Sequence, residues 1–176
     1  MNKIDEKVLE YKDEMIKSIE RLVNIPSIEG ASCIDAPFGE FSKKALLEAL
    51  DISKEMGFKT KNVQNAIGYA EYGDGEDYVG IIGHVDVVPA NEEGWITPPF
   101  KMDIRDGKLY GRGVLDNKGP IISCLYALKI VKDLNIPLSK RVRIIFGSNE
   151  ETGFKDIPYY LSNEEPPISG FTPDCK

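Results

Sequence analysis

Two short apolar segments, separated by one long amphipathic segment, constrain the fold of this chain more than any other feature of its sequence. Residues 78–82 (YVGII) and 142–146 (VRIIF) consist almost entirely of residues that are typical of buried strands. Residues 118–134 between them place apolar side chains at helical spacing. A strand, a helix and a strand in this order predict a βαβ unit, whose parallel strands are buried on both faces of a sheet.

Shorter elements complete the predicted fold. Helical spacing, with its expected start and stop residues, predicts further helices over residues 5–24, 35–56 and 157–161, with Gly57 as the C-terminal glycine of the second. Strand and turn signals predict strands over residues 58–63, 67–72, 100–104 and 108–110, and then a proline-rich loop near the end of the chain. We therefore predict one α/β domain, a three-layer α/β/α arrangement around a largely parallel mixed sheet.

Composition excludes several classes of function. The chain has 22 basic and 29 acidic residues and a net charge of −7, which argues against nucleic acid or an anionic membrane as a partner. No apolar stretch is long enough to cross a bilayer, and the N-terminus lacks the apolar core of a signal peptide, so we predict a cytoplasmic location. Cys33, Cys124 and Cys175 are far apart and form no Cys-x-x-Cys pair, which indicates neither a disulfide framework nor a thiolate zinc site.

Polar side chains follow both strands of the predicted βαβ unit. His84, the only histidine, and Asp86 come after the first strand, and Glu150 and Glu151 come after the second. Asp116 lies in the loop that opens the helix between them. Because the carboxyl ends of parallel strands meet at one edge of a sheet, we expect these groups to converge there.

Each of these groups also has an ordinary structural explanation. A single histidine near a strand end is often a hydrogen-bonded packing residue, and Asp86 could be a surface turn residue. Asp116 could cap the following helix, and Glu150 and Glu151 could be acidic residues at a helix N-terminus.

Considered together, the groups favour a metal site. Asp174, which by itself could be a solvated carboxylate, lies in a fourth loop that can join the others. Several carboxylates at one edge repel each other unless a cation lies among them. Imidazole and carboxylate ligands suit zinc, with manganese or cobalt as substitutes, and two such ions bridged by a carboxylate form a known hydrolytic arrangement.

These segments resemble the signature of the dinuclear zinc peptidases that include carnosinases, aminoacylases and bacterial dipeptidases. The resemblance is carried by GHVDVVP at residues 83–89, YGRGVLDNKG at 110–119 and NEETG at 149–153. DAPFG at 35–39 and FTPD at 171–174 are closest to the PepV-type (Xaa-His) dipeptidase branch. The resemblance covers nearly the whole chain.

The resemblance implies a set of metal ligands. His84 and Asp174 would bind the first zinc, Asp116 would bridge both ions, and Glu151 would bind the second. The peptide bond between Asp116 and Asn117 is expected to be cis.

The resemblance also implies a reaction. Asp86 would hydrogen-bond the second ring nitrogen of His84 and orient it. Glu150 would be the general base for hydrolysis of the amide bond of a dipeptide by metal-activated water. An N-acyl amino acid deacylase of the succinyl-diaminopimelate or acetylornithine type remains open, as does a non-catalytic metal-binding remnant.

The chain departs from the family in length. Family members continue beyond the FTPD motif and carry an inserted lid domain, and the missing part supplies a further histidine to the second zinc. We therefore expect residues 1–176 to be the N-terminal part of the catalytic domain, to bind about one zinc and to show little activity alone. We also expect an unpaired sheet edge that favours self-association.

Overall fold

A computed structural model describes residues 2–174, so Cys175 lies outside the described part of the chain. Four helices have these bounds: α1 (Lys3–Val23), α2 (Glu40–Glu55), α3 (Lys118–Asp133) and α4 (Ile157–Leu161). Seven strands have these bounds: β1 (Lys59–Val63), β2 (Ile67–Tyr72), β3 (Tyr78–His84), β4 (Asp103–Arg105), β5 (Lys108–Tyr110), β6 (Arg141–Gly147) and β7 (Ser169–Phe171).

Five strands form the main sheet in the order β1-β2-β6-β3-β7, and β4 and β5 form a separate hairpin. β3 pairs in parallel with β6 and with β7. β2 runs antiparallel to both β1 and β6, so four of the five strands point the same way. The predicted largely parallel mixed sheet is confirmed, and β3, α3 and β6 form the predicted βαβ unit.

Helices cover both faces of this sheet, as predicted. On one face, Ile144 and Phe146 of β6 belong to the larger core, which they share with apolar residues of α1, α2 and α3. On the other face, Ile145 packs in a smaller cluster that includes Tyr160 of α4. Alternate residues of β6 therefore point to opposite helical layers, which is why its sequence is apolar without interruption.

Three elements differ from the prediction by more than two residues. β4 begins at Asp103 instead of residue 100, because residues 99–101 form a turn and a bend. α2 begins at Glu40 instead of residue 35, because residues 33–36 form a turn closed by a bridge between Cys33 and Ala36. β7 replaces part of the predicted proline-rich loop. By contrast, Gly57 follows α2 with a φ of +76°, the left-handed conformation expected of a glycine after a helix.

Two predictions from composition can be compared with the described residues. Cys33 and Cys124 are both free thiols. Within residues 2–174, no helix is both long enough and apolar enough to cross a bilayer.

Candidate metal centre

The carboxyl ends of two parallel strands define the candidate site. His84 ends β3 and is paired with Gly147, which ends β6. The loops that follow these strands carry Asp86, Glu150 and Glu151, and Asp116 precedes α3. The structure brings all of these side chains, together with Asp174, to one edge of the sheet, as the sequence predicts.

The His84 imidazole lies at the centre of this cluster. It is 2% exposed, and its Nε2 is 2.9 Å from Oδ1 of Asp116. The same nitrogen is 3.8 Å from a carboxylate oxygen of Glu150 and 3.8 Å from one of Asp174. Three carboxylates therefore surround one buried nitrogen atom.

Asp86 fixes the position of the two glutamates. It is 1% exposed, and its Oδ1 and Oδ2 accept the backbone N–H groups of Glu150 and Glu151, each at 3.1 Å. His84 Nδ1 lies 3.0 Å from the backbone oxygen of Asp86 and 3.3 Å from its Oδ1. The Asp86 carboxylate therefore lies beside Nδ1 of His84, as its predicted role requires. The backbone carbonyl of Asp86 is nearer to this nitrogen than the carboxylate is.

A second buried carboxylate extends this arrangement. Oδ2 of Asp156 accepts the N–H groups of Ser148 at 2.7 Å and Asn149 at 3.2 Å. Two carboxylates, Asp86 and Asp156, therefore hold four successive amides, and we call residues 148–151 the glutamate loop. The loop needs these acceptors because its N–H groups, which are buried or partly buried, lie beyond the end of β6 and outside any helix.

A cis peptide bond and a buried lysine lie where the chain enters α3. The peptide bond between Asp116 and Asn117 is cis, as expected. Lys118 is fully buried, and its Nζ donates hydrogen bonds to the backbone oxygens of Leu22 at 2.9 Å and Ile25 at 2.8 Å. Burial lowers the pKa of Lys118 to about 7.

Burial and the neighbouring charges raise the pKa values of His84, Glu150 and Glu151. Burial opposes protonation of His84, but the hydrogen bond and charge of Asp86, with the charges of Glu150 and Asp116, outweigh it and raise the pKa of His84 to about 9. Burial, followed by the charge of Asp174, raises the pKa of Glu150. Burial and the charge of Asp116 raise the pKa of Glu151. A cation at this edge would therefore be stabilised by several carboxylates that now repel one another.

Two sets of three donors lie close enough to share an ion. His84, Glu150 and Asp174 form one set, and His84, Asp116 and Glu151 form the other, with all donor atoms of a set within 4.8 Å of one another. The predicted first-ion set of His84, Asp116 and Asp174 is not among these groups, although Asp116 and Asp174 each approach the imidazole. The donor chemistry, one imidazole among carboxylates, suits a divalent transition metal.

The structural alternatives for Asp116 and for the two glutamates do not fit the observed structure. Asn117, not Asp116, is the residue before α3, and no side chain caps this helix. Glu150 and Glu151 lie six or more residues before α4 begins.

Sequence reasoning missed Asp156, because only the three-dimensional path of the chain brings it beneath the glutamate loop.

Glu29 is a second residue that sequence reasoning missed. Its Oε1 accepts hydrogen bonds from Asn149 Nδ2 and Lys155 Nζ, each at 3.2 Å. No sequence pattern in the loop that carries Glu29 indicates this contact, because its partners lie more than a hundred residues later in the sequence.

Comparison with known proteins shows the family to which the chain belongs. The profile of the family described as "Peptidase family M20/M25/M40" matches residues 80–171, more than half of the chain and most of the site. The chain belongs to this family. A Bacillus subtilis (strain 168) protein named "Putative dipeptidase YtjP" is 42% identical over 170 residues, which are 96% of this chain and 36% of that protein. A Staphylococcus epidermidis protein named "Putative dipeptidase" is 41% identical over 173 residues, 97% of this chain and 37% of its own length.

Solved structures establish the same fold. Human carnosine dipeptidase 1 superposes with a TM-score of 0.77 and 24% identity, over 97% of this chain and 40% of that structure. The M20 family metallo-carboxypeptidase Sso-CP2 from Sulfolobus solfataricus also gives a TM-score of 0.77 and 24% identity, over 92% of this chain and 37% of that structure. The chain thus spans little more than a third of the length of the curated relatives it matches.

Proposed function

We propose that this chain, as the N-terminal part of a catalytic domain, provides the metal-binding edge of a metal-dependent dipeptidase. The observation that carries the proposal is the gathering of a buried imidazole and five carboxylates at the carboxyl ends of β3 and β6. Membership of a peptidase family and relatives named as dipeptidases support hydrolysis of a dipeptide amide bond.

Four residues would hold the divalent ions, with zinc the preferred metal and manganese or cobalt as substitutes. His84 and Asp174 would bind the first ion, Glu151 the second, and Asp116 would bridge them. Asp116 suits a bridging position because its side chain is half exposed while its Oδ1 reaches the buried imidazole. Bound ions would polarise the substrate carbonyl and neutralise the repulsion among the carboxylates.

Glu150 would act as the general base. Its side chain is partly open to solvent, and its carboxylate lies 3.8 Å from His84, within reach of a substrate held at the same edge. A carboxylate in this position could accept a proton from water, and the same group could then pass the proton to the leaving amine. Asp86 would act as a positioning residue, because it fixes the backbone of Glu150 and Glu151 beside the imidazole.

Metal binding is the first test of this proposal. Titration calorimetry with zinc should give about one bound ion per chain, because the second ion has only Asp116 and Glu151 as donors here. His84→Gln should weaken this binding by at least tenfold. The control Asp51→Asn removes an exposed carboxylate on α2 and should leave binding unchanged. Equal affinity in His84→Gln and the unaltered protein would reject the site.

Catalysis needs a second test. We expect little turnover from this chain alone. A chimaera that joins residues 1–174 to the remaining part of the Bacillus subtilis relative should hydrolyse dipeptides faster than N-acetyl amino acids. Glu150→Gln in the chimaera should abolish turnover, whereas Asp51→Asn should not. A preference for N-acetyl amino acids would replace the dipeptidase proposal with a deacylase, and full activity of Glu150→Gln would remove the assigned base.

A further inference from the structure

We propose that Asn117 is a positioning residue that sets the distance between Asp174 and His84 through its side-chain amide. The inference rests on the proposed metal site and adds a residue to which no role has been assigned there. The Asn117 side chain is 0% exposed and lies between the end of β3 and the loop that carries Asp174. Its Nδ2 donates to Oδ1 of Asp174, and its Oδ1 accepts the backbone N–H of His84, both at 3.3 Å.

The sheet explains why an amide is needed at this place. β7 pairs with β3 at Val79, Gly80 and Ile81 and then separates from it. The backbone N–H of His84 therefore lies beyond the last paired residue on this side of β3. The Asn117 amide fills the gap, because it accepts from β3 on one side and donates to Asp174 on the other.

The space for this amide is made by a glycine. A Cβ atom on Gly83 would lie 2.3 Å from Oδ1 of Asn117, which is too close for any side chain. Gly83 lies within β3 and its φ is not in the left-handed region, so the backbone conformation does not require glycine there. The packing of the Asn117 amide against the strand does require it.

Only an amide satisfies both neighbours. An alanine would leave the buried N–H of His84 without its acceptor and Asp174 without its donor. A leucine has a similar shape but neither polar atom. Asp174 would then be free to turn toward solvent, where its carboxylate is already partly exposed. The ion shared with His84 would lose a preorganised ligand, and loss of such an outer contact costs about 10–100-fold in metal affinity.

A double-mutant cycle on zinc affinity tests the inference. The four proteins are the unaltered chain, Asn117→Leu, Asp174→Ala and the double variant, each checked for folding by circular dichroism. We expect Asn117→Leu to weaken zinc binding about tenfold when Asp174 is present. Its effect should be clearly smaller when Asp174 is absent, because only the contact with the His84 N–H is then lost. A purely structural role of Asn117 would weaken binding equally in both backgrounds, and this result would overturn the inference.

The outcomes separate this inference from the proposed function. If Asp174→Ala alone leaves zinc affinity unchanged, the assignment of Asp174 as a ligand in the proposed function is wrong. If it weakens binding but the cycle shows no coupling, the site stands and the role of Asn117 falls. Should Asn117→Leu fail to fold, nuclear magnetic resonance of the side-chain amide protons of Asn117 provides the second measurement. Asp174→Ala should speed their exchange with solvent at least tenfold, and unchanged exchange would refute the contact.

Discussion

Replacement of Asp86 by asparagine tests how the glutamate loop is held. The Asp86 carboxylate is buried and accepts one backbone N–H on each oxygen, from Glu150 and from Glu151. Asparagine keeps one acceptor, but its NH₂ group would face the other N–H, and two donors cannot bond each other. One buried donor is then unsatisfied, at a cost of about 1–3 kcal/mol, and the remaining bond loses its charge assistance.

A smaller effect acts in the opposite direction. The charge of Asp86 contributes to the raised pKa values of both glutamates, so its removal relieves some repulsion. We take this relief as about 1 kcal/mol, the upper end for partly exposed charge pairs. The lost charge assistance, also about 1 kcal/mol, offsets this relief, so the expected net effect is a decrease of about 2 kcal/mol in the free energy of unfolding.

Urea unfolding followed by circular dichroism, with a chelator present, measures this decrease. With a slope of about 1–3 kcal/mol per molar urea, the midpoint should fall by about 1 M while the slope stays constant. The control Asp51→Asn makes the same change of charge on an exposed side chain and should move stability by less than about 0.5 kcal/mol. A midpoint of Asp86→Asn that matches the midpoint of this control would show that the carboxylate does not hold the loop.

Three further predictions concern pH, metal and the sheet edge. Burial acts to raise the pKa of Glu164, but its contacts with Lys61 and Arg143 hold it below 4.5, so this group stabilises the fold above pH 4.5 and the contribution is lost as pH falls. Glu164→Gln should therefore lower the melting temperature at pH 7 and have little effect near pH 3; an equal loss at both values would contradict the assignment. Zinc at a hundred times its Kd should raise the free energy of unfolding by about 2.7 kcal/mol, and a chelator should reverse the rise; no shift would mean that zinc does not bind the folded chain preferentially. Gly170→Ala places a Cβ 2.2 Å from a backbone oxygen of β3, so it should detach β7 and weaken zinc binding. Ser169→Ala, at the exposed neighbouring residue, should do neither. Unchanged zinc binding in Gly170→Ala would show that zinc binding does not depend on β7.

Much of the fold could be predicted because buried elements have recognisable patterns of apolar residues in the sequence. β3 and β6 lie between two helical layers, so they are continuous apolar runs, and their parallel arrangement places the loops after both strands at one edge. β7 could not be predicted in this way. It is three residues long, and all three are exposed. Within residues 2–174 it has one neighbouring strand, so nothing in its sequence alternates.

The site was predicted less completely than the fold. Residue types and their place after the strands indicated the groups that gather around His84, because metal chemistry limits which side chains can serve. The supporting contacts of Asp156 and Asn117 could not be predicted, since their partners are backbone groups or side chains that come close only in the folded chain. For the same reason, the sequence did not show that the carbonyl of Asp86 approaches the imidazole more closely than its carboxylate does.

The contacts of Lys118 bear on how small a working metal-binding unit can be. The family profile begins at residue 80, yet the acceptors of the buried Lys118 are carbonyls of Leu22 and Ile25. Ser27 also hydrogen-bonds Val85 through its hydroxyl at 2.6 Å. A segment excised at the profile boundary would leave the buried Lys118 amine without its acceptors, two residues from Asp116, the proposed bridging ligand. The N-terminal helix and the loop after it are therefore part of the smallest transplantable unit, although no proposed ligand lies within them.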